Sequence, residues 1–397
     1  MTSLAHDRPP AETSGAPVRT VAVLAYSDSA IFSGAEALFC KVLGALSPQP
    51  SLEIRCAAPA RNRALSGALA EAVGSEPIDV PVQPLSVAAA HLYDPRRRAA
   101  VRRVLEAERC DVVFVNLPSA EYGGTPLLAG QGSSATTLGL LHVPGSPAEL
   151  GFRFGWARER LARGAMRNLD SVCLLTDAAR SAFERHWRSG RTELHTVPMP
   201  TPSVTRLPRD EARAALGLPD STLVGMVGRI SFKQKGQDTF LAAAELLLRE
   251  RPDLRFAIAG DGRDRGRLER LIAARGLGER VILLGHLTPI DPFLSALDAI
   301  AIPSRFEGLP LVALEALALG LPGVAASSDG LRDLWPTAWQ VPASDPAAFA
   351  RALAELLDAT SAQRSRLVAE GRRLMERFTT DDLGAAFEPT IVRTAHV

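Results

Sequence analysis

The sequence predicts an α/β protein made of two doubly wound halves, and three observations predict it. Short apolar, β-branched runs alternate with helical patterns along nearly the whole chain, as expected of parallel sheets covered on both faces. The alternation halts between His195 and Pro208, where HTVPMPTPSVTRLP holds four prolines and reads as a linker, and then resumes. A length of 397 residues gives each half enough chain for its own core.

Taken in order, residues 1–17 are polar, rich in Pro, Ser and Thr, and read as a disordered tail without a signal-peptide core. The first half, 18–200, opens with a strand from Thr20 to Tyr26, a loop containing Gly34, and a helix from Ala35 to Leu46. Strands are predicted at Leu52–Ala58, Asp111–Val115, Thr137–Leu141 and Ser171–Leu175, with a helix over Ala157–Asn168. The second half, 201–378, repeats the pattern with strands at Leu223–Val227, Phe256–Ala259, Val281–Leu284, Ala299–Ile302 and Gly323–Ala326. Gln237–Arg249 reads as a helix, and Phe349–Phe378 reads as helical. Residues 379–397 are expected to pack back across the first half.

Composition excludes several classes. A net charge of +1 gives no global nucleic-acid signal, and Cys40, Cys56, Cys110 and Cys173 are too scattered for a disulfide or zinc framework. No run approaches ~18 apolar residues, so no membrane-spanning helix is expected and the reading is cytoplasmic. Only three of the 45 basic residues are lysine, and two of these, Lys233 and Lys235, stand together before Gly236. In a chain that otherwise uses Arg, such a pair points to a site that wants a compact point charge.

The chemistry concentrates in Ala299–Trp335. A strand leaves its sheet at Pro303, a polar turn Ser304–Gly308 follows, and an apolar helix begins near Pro310 and stops at Gly320 and Pro322. Glu307 lies where free helix amides favour an anion, and Glu315 is the lone charge on the apolar helix. At most about 12 Å separates them along a helix, a span that suits a ligand with hydroxyls at both ends and a diphosphate between. The blander reading pairs Glu315 with an Arg and makes Glu307 a cap. Upstream, Arg229 leaves a strand end and Lys235 precedes a helix, where a fork and a point charge could together neutralise a diphosphate. Gly260-Asp-Gly262-Arg-Asp-Arg-Gly266 imitates a dinucleotide fingerprint, but its third glycine is one residue late and it sits mid-domain. No Asp-x-Asp occurs, so a metal-dependent diphosphate grip is not expected.

In series these residues resemble the retaining glycosyltransferases of family 4. The match runs through Ser33-Gly34-Ala35-Glu36, His142, Gly228-Arg229 with Lys235-Gly236, Gly260-Asp-Gly262, Gly285, Glu307-Gly308-Leu309-Pro310 with Glu315, and Gly320-x-Pro322. The resemblance implies a GT-B fold, two Rossmann-like domains facing across a cleft, and transfer of a sugar from a nucleotide-sugar to an acceptor hydroxyl in glycan, polysaccharide or glycolipid synthesis. It implies that Arg229 and Lys235 grip the diphosphate, Glu315 the ribose and Glu307 the sugar. Backbone of Gly308, Leu309, Leu311 and Val312 around Pro310 would touch sugar and phosphate, and Gly34 and Gly228 would approach the diphosphate. Gly285, His286 and Leu287 would lie by the base, and His142 by the sugar on the acceptor side. No metal and no further cofactor are implied.

Two departures from the family pattern stand out. The Arg-to-Lys loop is one residue longer than the usual form, which leaves Lys233 as a rival to Lys235, and Ser327-Ser328-Asp329-Gly330 stands where paired glycines are usual. Phe152, Phe154 and Trp156 precede Arg160, Arg163 and Arg167 at helical spacing, which could rest on an anionic membrane carrying a lipid-linked acceptor, or could be a solvated face. Rival functions are a sugar-nucleotide epimerase or phosphorylase on the same architecture, or a silent nucleotide-sugar binder.

Overall fold

The computed structural model describes residues 20–29, 32–80 and 93–396. The predicted 1–17 tail lies outside the described residues, as do two positions of the loop before Gly34.

Two parallel sheets organise the chain. The first contains β1 (Val21–Tyr26), β2 (Leu52–Ala58), β3 (Ile78–Asp79), β4 (Val112–Ser119), β5 (Thr136–Val143), β6 (Ser171–Leu174) and β7 (Glu193–Thr196), in the order β3-β2-β1-β4-β5-β6-β7. A two-residue β8 (Met199–Pro200) follows. The second sheet contains β9 (Leu223–Val227), β10 (Arg255–Ala259), β11 (Val281–Gly285), β12 (Ala299–Ile302), β13 (Gly323–Ala326) and β14 (Gln340–Val341), in the order β11-β10-β9-β12-β13-β14. Both orders run outward in one direction from the first strand and then reverse. The crevices at the reversals, between β1 and β4 and between β9 and β12, are where such sheets bind ligands.

The strands form for the reason their sequences announce. β4, β5 and β12 are apolar on both faces because helices cover both, and Val112, Phe114, Leu138, Leu140 and Ile300 are fully buried. The helix Gly34–Leu46 starts where the Glu36 carboxylate accepts from the Ser33 amide at 2.9 Å and its hydroxyl at 2.6 Å.

Phe349–Phe378 is helical as expected, in two consecutive helices, Pro346–Asp358 and Ser361–Glu376. Thr360 caps the second by a reciprocal bond pair with Gln363. The chain then pairs β15 (Thr379–Thr380) with β8 and ends in the helix Leu383–Thr394. That helix packs against Gly34–Leu46 and β5, with Thr136 donating to the Thr394 carbonyl at 2.9 Å. A single buried apolar cluster takes in Phe39 and Phe114 of the first half, Leu309 and Leu314 of the second, and Phe387 of this helix.

Candidate active site

The loops that leave β9 and β12 meet at the reversal point of the second sheet. Lys235 ends a one-turn helix, Phe232–Lys235, and its stem lies along Gly228, where an added Cβ would stand 3.3 Å from the lysine Cδ. Its Nζ donates to Glu307 Oε1 at 2.5 Å, with the Glu307 side chain buried. Behind this pair a second clamp joins the same two loops. Arg305 donates both terminal nitrogens to the Asp238 carboxylate at 2.9 Å, and its amide donates to the Gln234 carbonyl at 2.7 Å. Fully buried Gln237 donates to the Arg229 carbonyl at 3.0 Å and accepts from the Ser231 amide.

The Gly260–Gly262 segment has its explanation here. A Cβ on Gly260 would fall 2.0 Å from the Gly228 carbonyl, and one on Gly262 would fall 2.4 Å from that of Ile230. These glycines let the loop after β10 press against the Arg229 loop.

The helix Leu311–Leu319 begins immediately beyond Glu307. Its cap residue is Pro310, which can offer no side-chain acceptor, so the Leu311 and Val312 amides keep the orphan character of a helix start. An open helix N-terminus beside a lysine is an anion site by its electrostatics. Across the cleft, Gly34 faces Leu311, and Gly308 is pressed between the two halves. A Cβ on Gly308 would lie 1.8 Å from the His142 carbonyl, and one on Gly330 would lie 1.7 Å from the Gly308 carbonyl. Packing against the Gly308 carbonyl therefore requires residue 330 to be small.

His142 is the penultimate residue of β5 and is buried, which pushes its imidazolium down to about 3, so the ring is neutral. Its Nε2 meets Asn116 Oδ1 at 2.9 Å, and the Asn116 amide donates to Ser27 Oγ at 3.1 Å. With Nε2–H donating to Asn116, Nδ1 is left as the acceptor. Asn116 is fully buried on β4, and nothing in an apolar strand pattern flags it.

The remaining predicted residues are distributed as follows. Arg229 is exposed and donates to Gln234 Oε1 at 3.0 Å; it does not reach Glu307 in this arrangement. Glu315 sits half-buried on its helix with no hydrogen bond or ion pair among the described residues, so the pairing with an Arg does not occur. Burial raises its pKa, with Lys41 opposing and Asp291 adding to the shift. Gly285 ends β11, and its carbonyl accepts from the Gly260 amide at 2.6 Å. His286 beyond it is exposed and 3.2 Å from the Thr288 hydroxyl, while Leu287 packs on the core. Leu309 and Val312 are buried. Lys233 leaves the site altogether: it donates to the Gly151 carbonyl at 2.6 Å and lies 3.8 Å from the Phe152 ring centroid. Of the two rival lysines, only Lys235 touches Glu307. Among the described residues no three His, Cys, Asp or Glu side chains gather as a metal cage.

Comparison with known proteins decides the family. The model for glycosyl transferases group 1 matches residues 221–359, and that for the glycosyl transferase 4-like domain matches residues 53–200. This chain belongs to the family 4 glycosyltransferases. Among relatives, the glycosyltransferase is 35% identical over 179 residues to alpha-D-kanosaminyltransferase of Streptomyces kanamyceticus, covering 43% of this chain and 46% of that one. It is 30% identical to 2-deoxystreptamine N-acetyl-D-glucosaminyltransferase of Streptomyces fradiae, covering 59% of each. The chain thus spans about half the length of the curated relatives it matches. Anabaena HepE, solved with UDP-glucose, superposes at a TM-score of 0.75 with 20% identity over 94% of this chain and all of that one. Sucrose-phosphate synthase of Thermosynechococcus elongatus superposes at 0.74, with 19% identity over 95% of this chain and 98% of that one. These two likenesses establish the GT-B fold.

Proposed function

We propose that this glycosyltransferase moves a sugar from a nucleotide-diphosphate donor to an acceptor hydroxyl with retention at the anomeric carbon and without a metal ion. The observation that carries the reading is the Lys235–Glu307 pair set against the open start of Leu311–Leu319 at the reversal point of the second sheet. HepE, whose crystals hold UDP-glucose, and the two aminosugar transferases support a nucleotide-sugar donor.

The residues fit the chemistry as follows. As the donor enters, Glu307 exchanges its lysine for a sugar hydroxyl and Lys235 turns its charge to the diphosphate, joined by Arg229 swinging from Gln234. The bond from the anomeric carbon to the phosphate oxygen breaks with its electron pair on that oxygen. The acceptor oxygen bonds to the carbon from the same face and its proton passes to the departing diphosphate. Charge grows on the leaving oxygens, so cations and helix amides already in place stabilise the transition state more than the ground state. They supply what a divalent cation would otherwise provide. Glu315, unpaired and poised to accept, holds the ribose hydroxyls, and neutral His142 meets the sugar from the acceptor side.

A thermal-shift panel of nucleotide-sugars tests the donor, because a ligand bound only by the folded state stabilises it by mass action. Product configuration by NMR then tests retention. A stabilising donor whose product keeps its anomeric configuration in the presence of a chelator supports the reading; an inverted product or a strict Mg²⁺ requirement removes it.

A further inference from the structure

Three adjacent strands of the first sheet carry a polar row across their carboxyl ends. Tyr26 pairs with Val115, so one step on Ser27 stands beside Asn116. Asn116 pairs with Leu140, so His142, two residues on, shares its face. Two residues back on each strand that face carries Ala25, Phe114 and Leu140, all fully buried in the apolar cluster. Ser27 and Asn116 are buried too, and the Asn116 backbone is fixed by Gly123. A Cβ on Gly123, which takes a φ of 84°, would fall 2.1 Å from the Asn116 carbonyl. Apolar side chains in this row would serve the sheet as well, since replacing both partners of a buried hydrogen bond by apolar groups of the same shape is nearly neutral. The row has another use, and it leads to His142, whose carbonyl is the surface on which Gly308 packs beside Glu307.

Among the described residues the ring's hydrogen-bond partner is Asn116, through Nε2 at 2.9 Å. Asn116 turns its oxygen to the ring because its nitrogen is spent on Ser27 Oγ at 3.1 Å. The carboxylates on the flanking loops are committed elsewhere: Asp28 accepts from Arg97, Tyr26 and Thr125, and Glu307 from Lys235. Resting on the donor reading above, we propose that Asn116, oriented by Ser27, is a positioning residue that holds His142 as its Nε2–H tautomer, so that the Nδ1 lone pair accepts a hydroxyl of the transferred sugar. A neutral acceptor at that place binds the hydroxyl without adding positive charge beside a carbon that becomes electron-poor as its bond to phosphate breaks.

The test is nitrogen NMR of the full chain carrying labelled histidine, with His142→Gln identifying the resonances among the seven histidines. The unliganded protein should show Nε2 protonated and Nδ1 bare throughout about pH 5–8. UDP-glucose or GDP-mannose should move the bare Nδ1 signal toward its hydrogen-bonded position, and UDP or GDP alone should not. In Asn116→Leu both tautomers should appear, and the affinity gained by the sugar over the bare nucleotide should fall roughly tenfold with UDP and GDP binding unchanged. Ser27→Ala, which leaves the Asn116–His142 pair in place, should also admit the second tautomer and carries the comparison if Asn116→Leu does not fold. Asn116→Asp can accept from Nε2–H and from the Ser27 hydroxyl, so it should keep the tautomer at high pH. Its carboxylate favours the imidazolium, so the ring should take up a proton as pH falls, a titration absent from the unmodified protein over the same range. A resting Nδ1–H tautomer overturns the proposal, as does an Nδ1 signal unmoved by either sugar nucleotide when UDP or GDP binds. Failure to bind either nucleoside diphosphate would instead strike the donor reading.

Discussion

Lys235 and Arg229 are both assigned to one diphosphate, yet their surroundings separate two effects that a single substitution usually mixes. Removing Lys235 leaves Glu307 buried without its partner, so Lys235→Ala should lower stability by about 3 kcal/mol as well as cutting turnover by about 10²–10³-fold. Adding Glu307→Gln should restore much of the stability and none of the turnover. Arg229 is exposed, so Arg229→Ala should leave the melting temperature within the effect of about 0.5 kcal/mol while lowering turnover comparably. Chemical denaturation and initial rates on the same preparations would check both. His142 gives a pH test. Its folded value near 3 lies below the ordinary 6.5, so the unfolded chain binds a proton that the folded chain refuses. That contribution to stability is whole above about pH 6.5 and should be lost progressively as pH falls from there toward about 3. His142→Gln, which can still meet Asn116, should flatten that limb of the stability profile. At this scale the sequence showed the charges that stand out from their neighbours: Glu315 on an apolar helix, two lysines among arginines. It could not show Asn116 or Gln237, which are buried by contacts that only the assembled sheet creates. Nor could it choose between Lys233 and Lys235, since one turn of helix sends them to opposite sides.

The elements that matter are loops held on strand ends. Periodicity alone located β2, β9, β12 and β13 with the bounds they have, because buried parallel strands are short apolar runs closed by turn residues. The loops were legible only as unusual residues, since their conformations come from long-range bonds such as Arg305 to Asp238. Gly308 offers the sharpest test of an element. Gly308→Ala would drive a methyl into the His142 carbonyl, so the two halves must part or the loop must move. Turnover should fall at least 10²-fold by misplacing Glu307 and Leu311, while Gly266→Ala, whose added carbon meets only the far end of Arg270, should be silent. Equal rates for both variants would show that the close approach has no bearing on the site.

At the level of the whole molecule, the last helix crosses back to the first half and joins the same buried cluster as the second sheet, so the two halves share a core on one side of the cleft. Among the described residues no helix is long and apolar enough to cross a membrane. The aromatic and basic segment that drew attention in the sequence divides its residues. Phe152 is committed to the interdomain contact with Lys233 and Phe306, whereas Phe154 and Trp156 are exposed. The fold class was readable because two alternating series flank a proline-rich break. A cleft between the halves was expected, but its close contacts were not readable, since they depend on how Gly34, His142 and Gly308 approach one another in the assembled fold. Glu315→Gln should raise the donor KM several-fold with little change in kcat, because a ribose contact distant from the reacting carbon binds ground and transition states alike.

The measurement closest to the central claim is calorimetric binding of UDP and GDP to the unmodified chain and to the Arg229→Ala and Lys235→Ala variants. The account requires one nucleoside diphosphate to bind at one site per chain and each variant to weaken it at least tenfold. Undiminished affinity in both variants, with the chains folded, would contradict it.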